Sequence, residues 1–260
     1  MKKSHLNYIM HIPKTAGMSL QYLARRQHKA IGALELIYTL EKQQKGFENR
    51  PELQTVMGHF RYGIHRFSNR PAYYFTYLRN PIDHVISHYQ YTKDFPEKFE
   101  FLPKESQSII DFAKGPYGNN LQSRFISGIT KHDTDLQVIL ETAKANLNQF
   151  EVVGITEEFD LSLLMMAKAL NWKTLYYTRM NDGKTKKKEP YPSPEVIQEL
   201  EEILKYDIEL YKLGLQIFEK QRQANLDLVK KLPQFQRMNS YFQQLNPTYI
   251  KFKKVFGLVK

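Results

Sequence analysis

The chain contains no cysteine. A disulfide framework and thiolate metal sites are therefore excluded, and a reducing compartment is permitted rather than proved. No uninterrupted apolar run nears the roughly 18 residues that a bilayer span requires. The opening MKKSHLNYIMHIPK joins basic residues to a short apolar stretch, without the long core and small-residue cleavage site of a signal peptide. Cytoplasmic is the default expectation. No internal repeat is visible, and the kinase-type loop GxxxxGK[ST] is missing. Convincing metal spacing is missing as well: His84 and His88 stand four apart without an acidic partner motif and read as surface or core imidazoles.

What is present is enough for a core. With 260 residues, 42% of them hydrophobic, the chain can bury one sizeable core or at most two small ones. A formal charge of +11 favours an anionic partner: a nucleotide, a sulfated or carboxylated glycan, nucleic acid or a membrane surface. Solvated surface lysine is the bland alternative.

Alternate apolar positions from Leu6 to Ile12 predict a buried first strand, which Pro13 ends before a helix from about Gly17 to Arg26. Further strands are expected over Thr55 to Phe60, Ala72 to Arg79 and Glu151 to Ile155, with TLYYT (174–178) as a fifth. Asn80 and Pro81 supply a helix cap and first turn, and Ile82, Val85, Ile86 and Tyr89 follow at helical spacing. Helices are also expected near Ser106 to Ala113, from about Glu158 to Leu170, and from Ser193 to roughly Gln221, after a clear loop at 180–194. Ala224 to Lys260 reads as partly helical and ends in the basic, aromatic YIKFKKVFGLVK. Strands alternating with helices argue for a parallel sheet covered on both faces.

Two stretches carry chemistry. HIPKTAGMSL (His11 to Leu20) sits between the first strand and its helix, where backbone N–H groups make a phosphate cradle. Lys14 adds a point charge, Thr15 and Ser19 add hydroxyl donors, and Gly17 lets the backbone approach an anion. A plain strand-to-helix turn is the structural alternative. In YLRNPIDHVISHYQY, Arg79 stands at the carboxyl end of a strand, where ligands of open parallel sheets bind, and Ser87 two turns along the next helix. A guanidinium beside a hydroxyl suits a dianionic phosphate; a surface salt bridge would use the same residues.

Together, IPKTAGMSL and RNPIDHVISHY resemble the 5′-phosphosulfate loop and the 3′-phosphate motif of sulfotransferases that use 3′-phosphoadenosine 5′-phosphosulfate (PAPS). The likeness is to the carbohydrate branch that contains heparan and dermatan uronyl 2-O-sulfotransferases and soluble bacterial relatives. GHFRYGIH, NNLQSRFISG and VGITEEFDLSLLMMAKALNW also match, so the resemblance runs from about residue 6 to 220. It implies a P-loop-NTPase-like three-layer α/β/α fold, with a catalytic domain over 1–222; the helical, basic extension over 223–260 is part of the same domain or appended to it.

The resemblance further implies PAPS as co-substrate and no metal. Pro13, Lys14, Thr15, Ala16, Gly17, Met18, Ser19 and Leu20 would hold the phosphosulfate, Arg79 and Ser87 the 3′-phosphate, and Lys14 the leaving oxygen. His59 in the GH pair would take the acceptor proton, an imidazole of ordinary pKa about 6.5 being suited to that work. The second histidine common in the family is replaced by Met57. In the 180–194 loop, Thr185 and Lys188 are nominated to close on the nucleotide, and Arg124 with Asn120 to line the acceptor cleft. The acceptor would be a hydroxyl-bearing glycan, glycolipid or metabolite, not nucleic acid, with peripheral membrane contact through the basic C-terminal segment. Two rivals stand: a nucleotide kinase that uses the loop for ATP, and a non-enzymatic basic binder of nucleic acid or anionic membrane.

Overall fold

The computed structural model describes residues 5–28, 32–37, 50–98, 108–131, 133–178 and 190–255, with backbone alone beyond 245. Five strands among the described residues form one all-parallel sheet: β1 (Leu6–Met10), β2 (Leu34–Ile37), β3 (Thr55–Gly58), β4 (Ala72–Leu78) and β5 (Val152–Ile155), in the order β2-β3-β1-β4-β5. Met10 pairs with Gly58 on one side and Thr76 on the other, and Leu78 pairs with Ile155. β3 and β5 are buried at every position, as expected of parallel strands covered on both faces. Flanking helices supply that cover, consistent with a three-layer α/β/α arrangement.

The helices follow from local chemistry. α1 (Gly17–Gln27) follows β1, and α2 (Pro81–Asp94) follows β4. The Asn80 side chain accepts from the N–H groups of Ile82 and Asp83 beside Pro81, a cap worth about 1 kcal/mol. α3 (Ile109–Lys114) starts in a Ser108–Asp111 capping box, later than the expected Ser106; 99–107 lie outside the described residues. α4 (Leu121–Ser127), α5 (Leu136–Leu147) and α6 (Phe159–Ala169) complete the middle of the chain.

Two expectations fail. TLYYT is not a strand. Its backbone groups pair with side chains instead: Arg26 donates to the Tyr176 carbonyl (2.7 Å), Gln27 to that of Thr174 (2.7 Å), and the Tyr177 N–H donates to Asn239 (2.9 Å). The fifth strand is β2, whose four residues are too short to reveal a period.

The long helix after Ser193 is two, α7 (Pro194–Ile203) and α8 (Lys205–Gln223), broken at Leu204 without a proline or glycine. The cause is Asn120, fully buried, whose amide Nδ2 donates to the Ile203 carbonyl (2.8 Å) while its Oδ1 accepts from the Asp207 N–H (2.9 Å). Those two backbone groups would otherwise bond to each other. A side chain inserted in the helical ladder makes the break. Asp207, also buried, returns the favour to α4: its carboxylate accepts from the N–H groups of Gln122 (3.1 Å) and Ser123 (2.7 Å) and from the Ser123 hydroxyl (2.6 Å). Burial pushes the Asp207 carboxyl up to about 6, against the pull of those donors.

The final helix, α9 (Leu226–Val255), buries Leu228 and Phe235 in the main core and Asn239 beside it. Phe235 and Phe242 stack on Tyr176 at 5.8 and 6.1 Å. The side chains of 249–260, nominated for membrane contact, lie outside the described residues. A second cluster, of Ile82, Val85, Phe112, Ala113, Leu200 and Leu204, ties α2, α3 and α7 together. Truncating one such leucine to alanine costs about 2–5 kcal/mol. Among the described residues no helix is long and apolar enough to cross a membrane.

Candidate functional site

β1 is the central strand. The chain leaves it towards β2 on one side and leaves its neighbour β4 towards β5 on the other. Adjacent strands whose connections diverge open a crevice at their carboxyl ends, the usual ligand position in such sheets. Around that end lie the loop after β1, Arg79 after β4 and His59 after β3.

The loop is wound tightly. Lys14 (φ 67°) and Ala16 (φ 63°) are both left-handed, although neither is glycine. Each costs about 1–2 kcal/mol, and outliers of this sort gather at functional sites. Thr15, between them and buried, bonds the Ile12 carbonyl with both its N–H (3.3 Å) and its hydroxyl (2.8 Å). Its hydroxyl proton is thus spent inside the loop, a correction to its expected role as a donor to an anion. The Pro13 carbonyl accepts from His84 Nε2 (2.8 Å). Left-handed residues turn N–H groups into anion-binding concavities, and the first turn of α1 has no side-chain cap competing for them. Gly17 is needed for another reason than expected: a Cβ there would lie 1.9 Å from the His11 ring.

Two cations meet at the crevice. Lys14 Nζ rests 4.2 Å above the centre of the Tyr91 ring, a cation–π contact from α2. Burial first, then Arg79, lowers the Lys14 pKa to about 8, with Asp94 pulling upward. The Arg79 guanidinium donates to the Lys14 carbonyl (3.1 Å), and burial lowers its pKa against the pull of Asp83 and Glu157. Just past the end of β4, the Arg79 N–H donates to Gln122 Oε1 (3.0 Å) and its carbonyl accepts from Gln122 Nε2 (2.9 Å). His84 and His88, buried on the same face of α2, have pKa values lowered to about 3 and about 4, chiefly by burial. Of the two expectations, surface or core imidazoles, they are the second, and neutral.

His59 leaves β3 through Gly58, whose φ of 151° and 1.8 Å clearance between a built Cβ and the Ile37 carbonyl admit only glycine. Its ring Nδ1 lies 2.8 Å from the His11 carbonyl. A carbonyl only accepts, so Nδ1 carries the hydrogen and Nε2 keeps its lone pair. Burial lowers the His59 pKa, against that bond. The His11 ring packs against it at 4.5 Å, its own pKa held well below the ordinary range by burial, His59 and Lys14. At neutral pH both are uncharged, and His59 is equipped to accept a proton at Nε2.

No family model matches the chain, and no curated protein matches its sequence.

The nominated residues separate into groups. Lys14 and Arg79 share the crevice, and His59 reaches the same loop through His11. Met18 is exposed and Ser19 buried on the first turns of α1, while the Leu20 side chain belongs to the core. Ser87 shares the face of α2 that carries His84, His88 and Tyr91. Thr185 and Lys188 lie outside the described residues. Asn120 does not line a cleft; both ends of its amide are used in the α7–α8 break. Arg124 does, in a cavity of about 290 Å³ with Arg61, Lys114, Gly115, Pro116 and Asn119. Among the described residues no carboxylate lines it, although Glu199 pairs with Lys114 at 2.9 Å. Burial, then Arg124, lowers the pKa of Arg61, and burial lowers that of Arg124 against the pull of Asp207. Sequence reasoning missed His11, Tyr91 and Gln122. All three stand in the quoted stretches: His11 opens HIPKTAGMSL, Tyr91 closes YLRNPIDHVISHYQY and Gln122 lies in NNLQSRFISG. No group of three or more potential metal ligands gathers among the described residues.

Proposed function

We propose that the chain is a sulfotransferase that moves a sulfuryl group from PAPS to a hydroxyl of a carbohydrate or glycan-like acceptor, on a P-loop-like α/β scaffold. The observation that carries this reading is the pairing of a strained, cation-bearing loop with Arg79 across the sheet's switch point, joined through the Lys14 carbonyl at 3.1 Å. Two anion grips on neighbouring strand ends suit a nucleotide charged at both its 5′ and 3′ positions. His59, poised neutral with its Nε2 lone pair, supplies the base.

In this scheme the acceptor oxygen forms a bond to sulfur as the sulfur–oxygen bond to the 5′-phosphate breaks. The acceptor proton passes to His59 Nε2. Lys14, still largely protonated at neutral pH, stabilises the charge that grows on the leaving phosphate, worth about 2.7–4 kcal/mol for one well-placed donor. The cavity of Arg61, Lys114 and Arg124 favours an acceptor that carries a carboxylate, sulfate or phosphate.

The test is calorimetry with 3′-phosphoadenosine 5′-phosphate against ATP with Mg²⁺. Binding of the first and not the second is the expected result. Preference for ATP would move the reading to phosphoryl transfer. Affinity for both that collapses with salt and survives loss of Lys14 would move it to a non-enzymatic binder.

A further inference from the structure

We infer that Gln122 is the positioning residue of the Arg79 grip, and through it a determinant of selectivity for the 3′-phosphate; this rests on the nucleotide reading above. β4 ends at Leu78, its last pairing being with Ile155 of β5, and its pairing with β1 has already stopped at Thr76. Arg79 therefore stands one residue beyond the ladder that fixes its strand. The Gln122 amide takes the place of a neighbouring strand there, holding the Arg79 N–H at 3.0 Å and its carbonyl at 2.9 Å. Gln122 is itself 1% exposed, so both bonds are shielded from water.

Gln122 is not loose at its own end. Its N–H donates to the buried Asp207 carboxylate, which also holds Ser123, and the Asp207 N–H is held by Asn120 in the α7–α8 break. A chain of buried, partnered polar groups thus runs from the helix break through Asp207 and Gln122 to the backbone of Arg79. It ends where the Arg79 guanidinium meets the Lys14 carbonyl. A long side chain magnifies small rotations at its Cα, and anion sites demand placement within about 0.5 Å. Without the clasp, the Arg79 peptide groups turn to other partners and the guanidinium head moves off the second anion position. The one link from this chain to the 5′ loop is the bond from the Arg79 guanidinium to the Lys14 carbonyl, so the 3′ position loses more than the 5′ position when the clasp is removed.

The experiment measures affinity for 3′-phosphoadenosine 5′-phosphate and for adenosine 5′-phosphate by calorimetry, in the wild type, Arg79→Ala, Gln122→Met and Gln122→Glu, each checked by thermal melting. Gln122→Met deletes both bonds. Gln122→Glu keeps the size and the acceptor for the Arg79 N–H but sets an oxygen against the Arg79 carbonyl, and serves if the methionine variant fails to fold. The expected result is a fall of about tenfold or more in the ratio of the two affinities for both Gln122 variants, with adenosine 5′-phosphate binding changed by less than about twofold. If Arg79→Ala loses the preference and a folded Gln122 variant keeps it, the inference is overturned while the nucleotide reading stands. If the wild type has no preference, both fall. Equal losses for the two nucleotides would make Gln122 a general structural residue and also overturn the inference.

Discussion

Replacing Lys14 with methionine should make the protein more stable at neutral pH and inactive. The Lys14 ammonium has its pKa lowered from 10.5 to about 8, mainly by burial and by Arg79. At pH 7 both the folded and the unfolded chain carry the proton, and the fold bears the full cost of holding that charge. As pH climbs from 8 towards 10.5, the folded protein sheds the proton before the unfolded one does. Stability therefore rises with pH through that window, where the unfolded state binds more protons. The linkage ceiling is about 3 kcal/mol, and partial solvent access reduces it to about 1–2 kcal/mol. Methionine loses the cation–π contact with Tyr91, about 0.5–1 kcal/mol, and recovers part of it as a sulfur–aromatic contact. It keeps the left-handed backbone strain unchanged. The net expectation is a gain of about 1 kcal/mol at pH 7 that shrinks towards zero near pH 10. Urea unfolding of both proteins at the two pH values measures it, beside a transfer assay expected to fall about 10²–10³-fold. A variant less stable than the wild type at pH 7, or a gain that does not shrink with pH, would refute the account of Lys14 as a charge held at a cost for function.

His59→Ala should lower transfer by about 10²–10⁴-fold while nucleotide affinity holds. Because burial keeps His59 below the ordinary imidazole range, the wild-type rate should hold at neutral pH and drop on the acid side only below that range. Loss of the Lys14 proton near pH 8 should lower it on the alkaline side. Gly17→Ala should destabilise by about 1–3 kcal/mol in urea, since the new methyl falls 1.9 Å from the His11 ring; unchanged stability would disprove that packing. Asn120→Ala lets the Ile203 carbonyl and the Asp207 N–H pair only by straightening α7 onto α8 against the separate clusters that hold Leu200 and Leu210, and should cost about 2–4 kcal/mol, read by the same unfolding assay. Lys114→Ala, an exposed lysine of the cationic cavity, should raise KM for acidic acceptors and leave neutral acceptors unaffected, with folding within about 0.5 kcal/mol of wild type.

Local chemistry made much of this fold readable. Asn80–Pro81 announced α2, alternation marked β1, which stops at Met10 rather than at the expected Ile12, and strand-favouring aromatic residues marked β4, so the loop and Arg79 were assigned to the correct strand ends. What escaped depended on partners distant in sequence. TLYYT has strand-forming residues, yet side chains from α1 and α9 reach its backbone before any strand can. The helix break at Leu204 is invisible locally, because its cause lies more than eighty residues earlier, at Asn120. The same holds for the site. The glycine of the loop suggested room for an anion, whereas the space is filled by His11, and the threonine hydroxyl turned inward to brace its own turn. Side-chain type was legible; the direction each side chain takes was settled by packing.

The amide wedged into the α7–α8 junction also divides the chain into stretches that tolerate length changes and one that does not. A residue gained or lost between Ile203 and Asp207 would throw both of Asn120's pegs out of step with their holes. One added ahead of Pro194 would disturb neither. Among descendants of this sequence, the spacing of those two positions should stay fixed while the preceding connection drifts in length.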